Sequence, residues 1–357
     1  MAFSVVPYSG GSHGFSPMKP WPALAGKAFC LTDDKRPAEK IFFYDSAPLQ
    51  SSASFNASAL LRNPTPSGSS PPLFVLIHGL GDEADTWRYI VPLLNSRGFR
   101  VLALDLPGFG RSVTAGRINL KAHTRSVLKL IDAALSPMEA VAVSPMKAGA
   151  AGGTADSRPG PVFIAGNSMG AVIAEEIALK RPGLVLGLAL IDGSIPGGPR
   201  SPGLIPLAVM LFSRKWYRAY RGNPEAAWAS LKPYYANLEG MPAEDRSFLH
   251  ERVMARVESR SQEQAFFASQ KSLVWAYMCA GGTASSRFTR GIMNYSGKIL
   301  LLWGEKDIIV PLSTAHAVKK LRGDIELKVI PGTGHLPHQE NPAETARLMA
   351  DFAENVL

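Results

Sequence analysis

Short apolar runs alternate with segments of helical period along this chain, and that alternation restricts its fold more than any other feature. LFVLIH (73–78), FRVLALD (99–105), PVFIAG (161–166), LVLGLALID (184–192), KILLLWG (298–304) and IELKVI (325–330) are almost continuously apolar, as strands buried on both faces are. Between and after them, residues 86–98, 119–136, 169–181, 313–322 and 341–356 read as helices. A strand followed by a helix returns to pair in parallel. The expected class is therefore α/β, a mostly parallel twisted sheet with helices on both faces. KIFFYDS (40–46) adds one more strand.

Residues 195–297 break the rhythm. They hold no clear strand and several amphipathic stretches, among them EDRSFLHERVMARVESR, where Leu249, Val253 and Val257 recur every four residues. They are expected to form a helical cap inserted into a core made of 40–194 and 298–357. Residues 1–39, rich in Pro, Gly and Ser, are expected to be an N-terminal extension of low order. Residues 46–72 read as a polar linker and 136–160 as a surface loop.

Composition removes several function classes. The chain has 357 residues, 46% hydrophobic and 19% charged, which suits a soluble globular protein. Its 2 cysteines, Cys30 and Cys279, form no CxxC and have no adjacent His, so neither a disulfide framework nor a zinc site is expected. The net charge is +9, and residues 195–297 hold 13 Lys and Arg against 7 Asp and Glu. The basic residues are not clustered into a nucleic-acid motif, so they read as a solvated helical surface, and no nucleic-acid partner is expected. The first residues lack the basic start and apolar stretch of a signal peptide. The apolar segment GLIPLAVMLF (203–212) falls short of the ~20 residues that span a bilayer. A cytoplasmic location without membrane insertion is expected. The oligomeric state is not legible.

Gly166-Asn167-Ser168-Met169-Gly170 sits where a strand gives way to a helix. A turn that tight forces the serine into a strained backbone conformation and leaves no room for side chains at the flanking glycines. What it gains is an exposed hydroxyl at a helix N-terminus, where unpaired N–H groups can hold developing negative charge. A serine alcohol needs a base to take its proton. IPGTGHLPHQENP, after the last strand, supplies His335, with His338 as rival. His338 is expected to help start the following helix through local hydrogen bonds. A carboxylate must orient the imidazole. Asp307, in the loop after KILLLWG, ranks first, Asp192 at the end of LVLGLALID second and Glu305 third.

The order Ser, Asp, His on an alternating chain resembles the α/β-hydrolase fold family. The resemblance covers 40–194 and 298–357 and rests on HGLGDEADTW (78–87), DLPGFGRS (105–112), GNSMG and WGEKD…GTGH. It implies an oxyanion hole built from the backbone N–H groups of Leu80 and Met169. Gly79 and Gly81 would let the Leu80 loop approach the substrate. His78 is expected to orient that loop, Asp105 and Arg111 to pin DLPGFGRS, and Trp87 to pack its helix. The resemblance also implies that the helical block is the cap over the pocket and that no metal or organic cofactor is required.

DLPGFGRS also resembles epoxide hydrolases and haloalkane dehalogenases, but those enzymes attack with aspartate. A serine attacking an alkyl carbon would leave an inert ether, whereas an acyl-serine can be cleared by water. Acyl transfer to water is therefore expected, with a carboxylic ester as the leading substrate. Thioesters, lactones, amides, carbon–carbon bonds of the meta-cleavage type and transfer to an alcohol use the same triad. Aromatic and Met residues of the block, such as Trp216, Tyr234, Phe266 and Trp275, suggest an apolar pocket for a small-molecule substrate. A ligand-binding receptor with little turnover is the alternative from another class.

Overall fold

The structure, a computed structural model, describes residues 3–8, 18–33, 36–46, 71–135, 160–194, 214–215, 217–280 and 287–357. The expected linker beyond Ser46, the loop 136–159, GLIPLAVMLF and Trp216 lie outside the described residues.

Nine strands form one sheet: β1 (Phe3–Pro7), β2 (Ala28–Asp33), β3 (Arg36–Asp45), β4 (Leu73–Ile77), β5 (Arg100–Leu104), β6 (Val162–Asn167), β7 (Val185–Ile191), β8 (Lys298–Gly304) and β9 (Glu326–Ile330). Their spatial order is β1-β2-β3-β5-β4-β6-β7-β8-β9. The first three strands are antiparallel to their neighbours, and β5 to β9 with β4 run parallel. The helices of the core are α1 (Ile90–Ser96), α2 (Leu120–Leu135) and α3 (Met169–Lys180).

Both faces of the sheet are covered, which is why the strand sequences do not alternate. On β4, Val75 and Ile77 join a cluster with Val127 of α2 and Ile173 of α3. Phe74 and Leu76 point to the other face, against Ile90 and Leu94 of α1 and the C-terminal helix residues Met349 and Ala350. Every residue of β4 is buried.

Between Ser194 and β8 the chain forms α4 (Pro224–Ala229), α5 (Ala243–Glu258), α6 (Arg260–Ala280) and α7 (Arg287–Asn294), with no strand among the described residues. Leu249, Val253 and Val257 do form the buried stripe of α5. α6 lies over α2, where Leu120 N donates to Ser272 Oγ at 3.1 Å and His123 Nε2 meets Ser269 Oγ at 2.8 Å. The inserted block is not uniform. Phe288 and Ile292 of α7, like Ala265 of α6, belong to the core cluster that residues of α3 also join. The chain closes with α8 (Leu312–Lys319), α9 (Pro337–Glu340) and α10 (Pro342–Glu354).

The N-terminal segment departs from the expected low-order extension. β1 and β2 extend the sheet, and Trp21 anchors residues 18–27, which lead into β2. Its ring packs edge-on to Phe248 of α5 at 4.6 Å, and its backbone N–H is shared between Tyr44 Oη and Asp85 Oδ1, each at 2.9 Å. Met18, Leu24, Phe29 and Leu31 are buried with it. The sequence hid this because Pro and Gly flank short strands whose stability comes from packing rather than pattern.

Trp21→Ala is expected to destabilise the protein by about 3–5 kcal/mol in urea titration, the cost of truncating a buried aromatic. A tethered but unpacked tail would give less than about 0.5 kcal/mol.

Candidate active site

The parallel strands end in step: Ile77 pairs with Gly166, Asn167 with Ile191, Ile191 with Leu302, and Gly304 with Ile330. Residues 78–81, 168, 192, 307 and 335 therefore emerge at one rim, the carboxyl ends of the strands, where open α/β sheets bind ligands.

Ser168 joins β6 to α3 with φ 54° and ψ −116°, a region that costs a non-glycine residue about 1–3 kcal/mol. The turn is crowded. A Cβ at Gly166 would collide with the backbone of Gly170, and one at Gly170 with the carbonyl of Ile77. Only glycine at both places lets α3 start this close to β4. Ser168 N–H donates to Ile191 O at 2.8 Å, and its side chain is half-buried. Among the described residues neither the Leu80 nor the Met169 N–H has a hydrogen-bond partner.

His335 is 2% exposed. Its Nδ1–H donates to Asp307 Oδ2 at 2.8 Å. Asp307 Oδ1 accepts the N–H groups of Ile309 at 2.8 Å and Val310 at 3.0 Å, so the carboxylate is fixed by its own turn. The imidazole contacts Asp307 rather than Asp192 or Glu305, and Glu305 instead accepts Gly332 N at 2.9 Å. Among the described residues no hydrogen bond joins Ser168 Oγ to His335; such contacts commonly tighten only once substrate is bound. Two residues that sequence reasoning missed hold the loops in place. Asn167 Nδ2 donates to Ile191 O at 3.3 Å and His335 O at 3.1 Å, tying the serine turn to the histidine loop. Glu340 accepts Gly334 N at 2.6 Å and Ala236 N at 2.8 Å, tying that loop to the inserted block. Burial lifts Glu340 above the usual carboxylate range even though three backbone N–H groups favour its charge. HQENP carries no local signal for the tie to the inserted block, because Ala236 lies 104 residues upstream.

His338 does not act through local bonds. Its Nε2 accepts from Thr86 Oγ1 at 2.7 Å and its ring lies 4.3 Å from that of Trp87, deep behind the rim. Burial, then the charges of Arg88 and His335, push it well below the usual imidazole range. Trp87 is itself fully buried. His78 orients a loop: Nδ1–H donates to Gly79 O at 2.7 Å and Nε2 accepts Leu106 N–H at 2.9 Å, joining HGLG to DLPGFGRS. Asp105 accepts Arg111 Nε at 2.8 Å and Ala84 N at 2.7 Å.

The inserted block is held over this rim by buried charge. Arg256 of α5 donates to both oxygens of Glu83, at 2.7 and 2.6 Å, and also meets Asp82. Arg252 lies 3.4 Å from Asp85, and Arg88 donates to Asp245 at 2.7 Å. Charges this deep persist only when paired. Above the loop, Phe266 of α6 lies against Gly81, and the Tyr234 ring stands 5.9 Å from that of His335.

A strained serine between a sheet and a helix N-terminus, at the rim that also carries an Asp–His pair, is the arrangement expected of the class of α/β hydrolases. The chain belongs to the alpha/beta hydrolase family, whose family model matches residues 74–348. It is 26% identical over 289 residues to pimeloyl-[acyl-carrier protein] methyl ester esterase of Methylococcus capsulatus, covering 80% of this chain and 96% of that one. Among solved structures it resembles a membrane phospholipase A (TM-score 0.62, 24% identity, 92% of this chain and 86% of the other). It also resembles an esterase from Thermogutta terrifontis (TM-score 0.61, 19% identity, 91% and 97%). No helix among the described residues is long and apolar enough to cross a membrane.

Glu83 gives a pH test of the cap contact. Burial alone would raise its pKa, but Arg256, with Arg252 and Arg111 beyond it, holds it down at about 2. A depressed carboxylate stabilises the fold above its unfolded pKa and loses that contribution as pH falls through the folded value. Wild-type stability is expected to drop between pH ~4.5 and ~2 more steeply than that of Arg256→Ala, read from urea midpoints. Parallel curves would mean that the pair does not set the acid limb.

Proposed function

We propose that the chain is a serine hydrolase that cleaves a carboxylic ester through an acyl-enzyme. That it is an ester-bond hydrolase rests on its family and on esterase relatives. The mechanism rests on the rim geometry. His335 Nε2 takes the proton of Ser168 Oγ as the oxygen attacks the acyl carbon. Asp307, fixed by two backbone N–H groups, holds the ring with Nε2 facing the serine and balances the imidazolium charge. The Leu80 and Met169 N–H groups point at the developing oxyanion, where such a donor is worth about 3–4 kcal/mol. His335 then returns the proton to the departing alcohol, and a water activated by the same ring clears the acyl group.

The observation that carries this is the 2.8 Å Asp307–His335 bond at the rim that presents Ser168 at positive φ. Phe266 and Tyr234 offer an apolar wall, which suits an apolar acyl or alcohol group. The relative's methyl ester supports a small alcohol leaving group.

A fluorophosphonate probe is expected to label Ser168 and no other residue, as located by mass spectrometry. On a panel of short and long acyl esters, Ser168→Ala and His335→Ala are each expected to lower kcat by about 10⁴-fold or more, and Asp307→Asn by about 10⁴-fold. Equal turnover by wild type and Ser168→Ala would end the assignment. Labelling without turnover on any ester, thioester or lactone would favour a ligand-binding receptor.

A further inference from the structure

Asp192 ends β7 beside Asp307, is fully buried, and holds φ 46°, a left-handed conformation that aspartate and asparagine tolerate better than most residues. Its Oδ1 accepts Gly304 N–H at 2.8 Å. Its Oδ2 is shut off from solvent and has no partner as long as both carboxyls are counted as acceptors. Yet one oxygen of Asp192, one of Asp307 and a ring nitrogen of His335 all lie within 4.8 Å of one another. Two buried carboxyl groups brought together in this way bond to each other only if one carries a proton.

Two carboxylates this close in a dry site do not both ionise. The donors around them settle which one stays charged. Asp307 faces three N–H groups, from Ile309, Val310 and the His335 ring. Asp192 faces one, from Gly304, and no Lys or Arg among the described residues pairs with it. The charges of Asp307 and, less strongly, Glu340 act on it, and a ring nitrogen of His335 lies within 4.8 Å. Burial, and next the charge of Asp307, push Asp192 well above the usual carboxylate range.

We propose that Asp192 is a positioning residue in carboxylic acid form, whose Oδ2–H donates to the carboxylate of Asp307. The bond gives Asp307 a fourth donor and so fixes the plane in which it holds His335. It also draws charge away from the oxygen that faces the imidazolium. No bond is made or broken during turnover at Asp192, and its proton stays in place. The strained φ is explained too, since it turns the side chain toward β8 and the Asp307 loop.

The inference rests on the Ser168–His335–Asp307 reading, and infrared spectroscopy tests it without turnover. The wild-type minus Asp192→Asn difference spectrum near neutral pH is expected to show a protonated carboxyl band that shifts in heavy water. Absence of that band overturns the proposal, even if Ser168→Ala is dead and the triad stands. Kinetics give a second readout. Asparagine keeps a neutral donor and the backbone conformation, so the inflection of the pH dependence of kcat/KM is expected to stay where wild type has it. Asp192→Ala removes the donor. It is expected to lower kcat about 10- to 100-fold with KM little changed and to move the inflection to higher pH, because Asp307 then stabilises the imidazolium more strongly. An ionised Asp192 would behave in the opposite way. Asp192→Asn would then delete a negative charge beside the ring and move the inflection down by about one unit or more, which overturns the proposal. A stoichiometric metal ion with chelator-sensitive activity would overturn it as well.

Discussion

The missing side chains at Gly166 and Gly170 are the constraint on which the rest of the site depends. They let the first turn of α3 press against the end of β4, and that contact forces the residue between them to positive φ. The strain is local and is held by the parallel ladder on both sides of β6. Its consequence is chemical. Ser168 is lifted off the sheet, while the Met169 N–H at the start of the helix has no partner among the described residues. A larger residue at either glycine would move the helix, and the hydroxyl and its anion-stabilising donors would part company.

Around that turn the protein divides its polar work between two depths. At the rim lie the groups expected to react, Ser168, His335 and Asp307. Behind them is a buried layer that ties loops together: His78 bridging two loops, Asp105 holding Arg111, and His338 between Thr86 and Trp87. This second layer is buried and fully structural. It explains why two histidines in similar glycine- and proline-rich surroundings behave differently, one at the surface of chemistry and the other in the core.

Much of this was legible in the sequence because it is local. The strand and helix runs mark parallel pairing, and GNSMG, WGEKD and GTGH each sit in one loop whose direction the preceding strand decides. Long-range contacts left no such mark. Nothing near Trp21 announces that it packs on Phe248, and nothing in a Pro- and Gly-rich start announces two more strands. Asn167 looks like a spacer between glycine and serine until its amide is seen to hold the histidine loop. The environment of His338 leaves no local mark for the same reason, since its partner Thr86 is 252 residues away. The charge of residues 195–297 read as solvated surface, whereas Arg252 and Arg256 are spent inward on acids that sequence proximity does not connect to them.

The acid row at 82, 83 and 85 belongs to the core; Asp85 is shared between Arg111 of the core and Arg252, while Asp82 and Glu83 meet Arg256 of the inserted helices. Neither half is comfortable alone, since each would leave desolvated charge unmatched. Pocket linings in a scaffold of this kind are therefore not freely interchangeable modules. Grafting a foreign lid onto this body would demand transplanting the matching loop from the same donor, so the inserted helices and the acidic loop beneath them must diversify together during evolution.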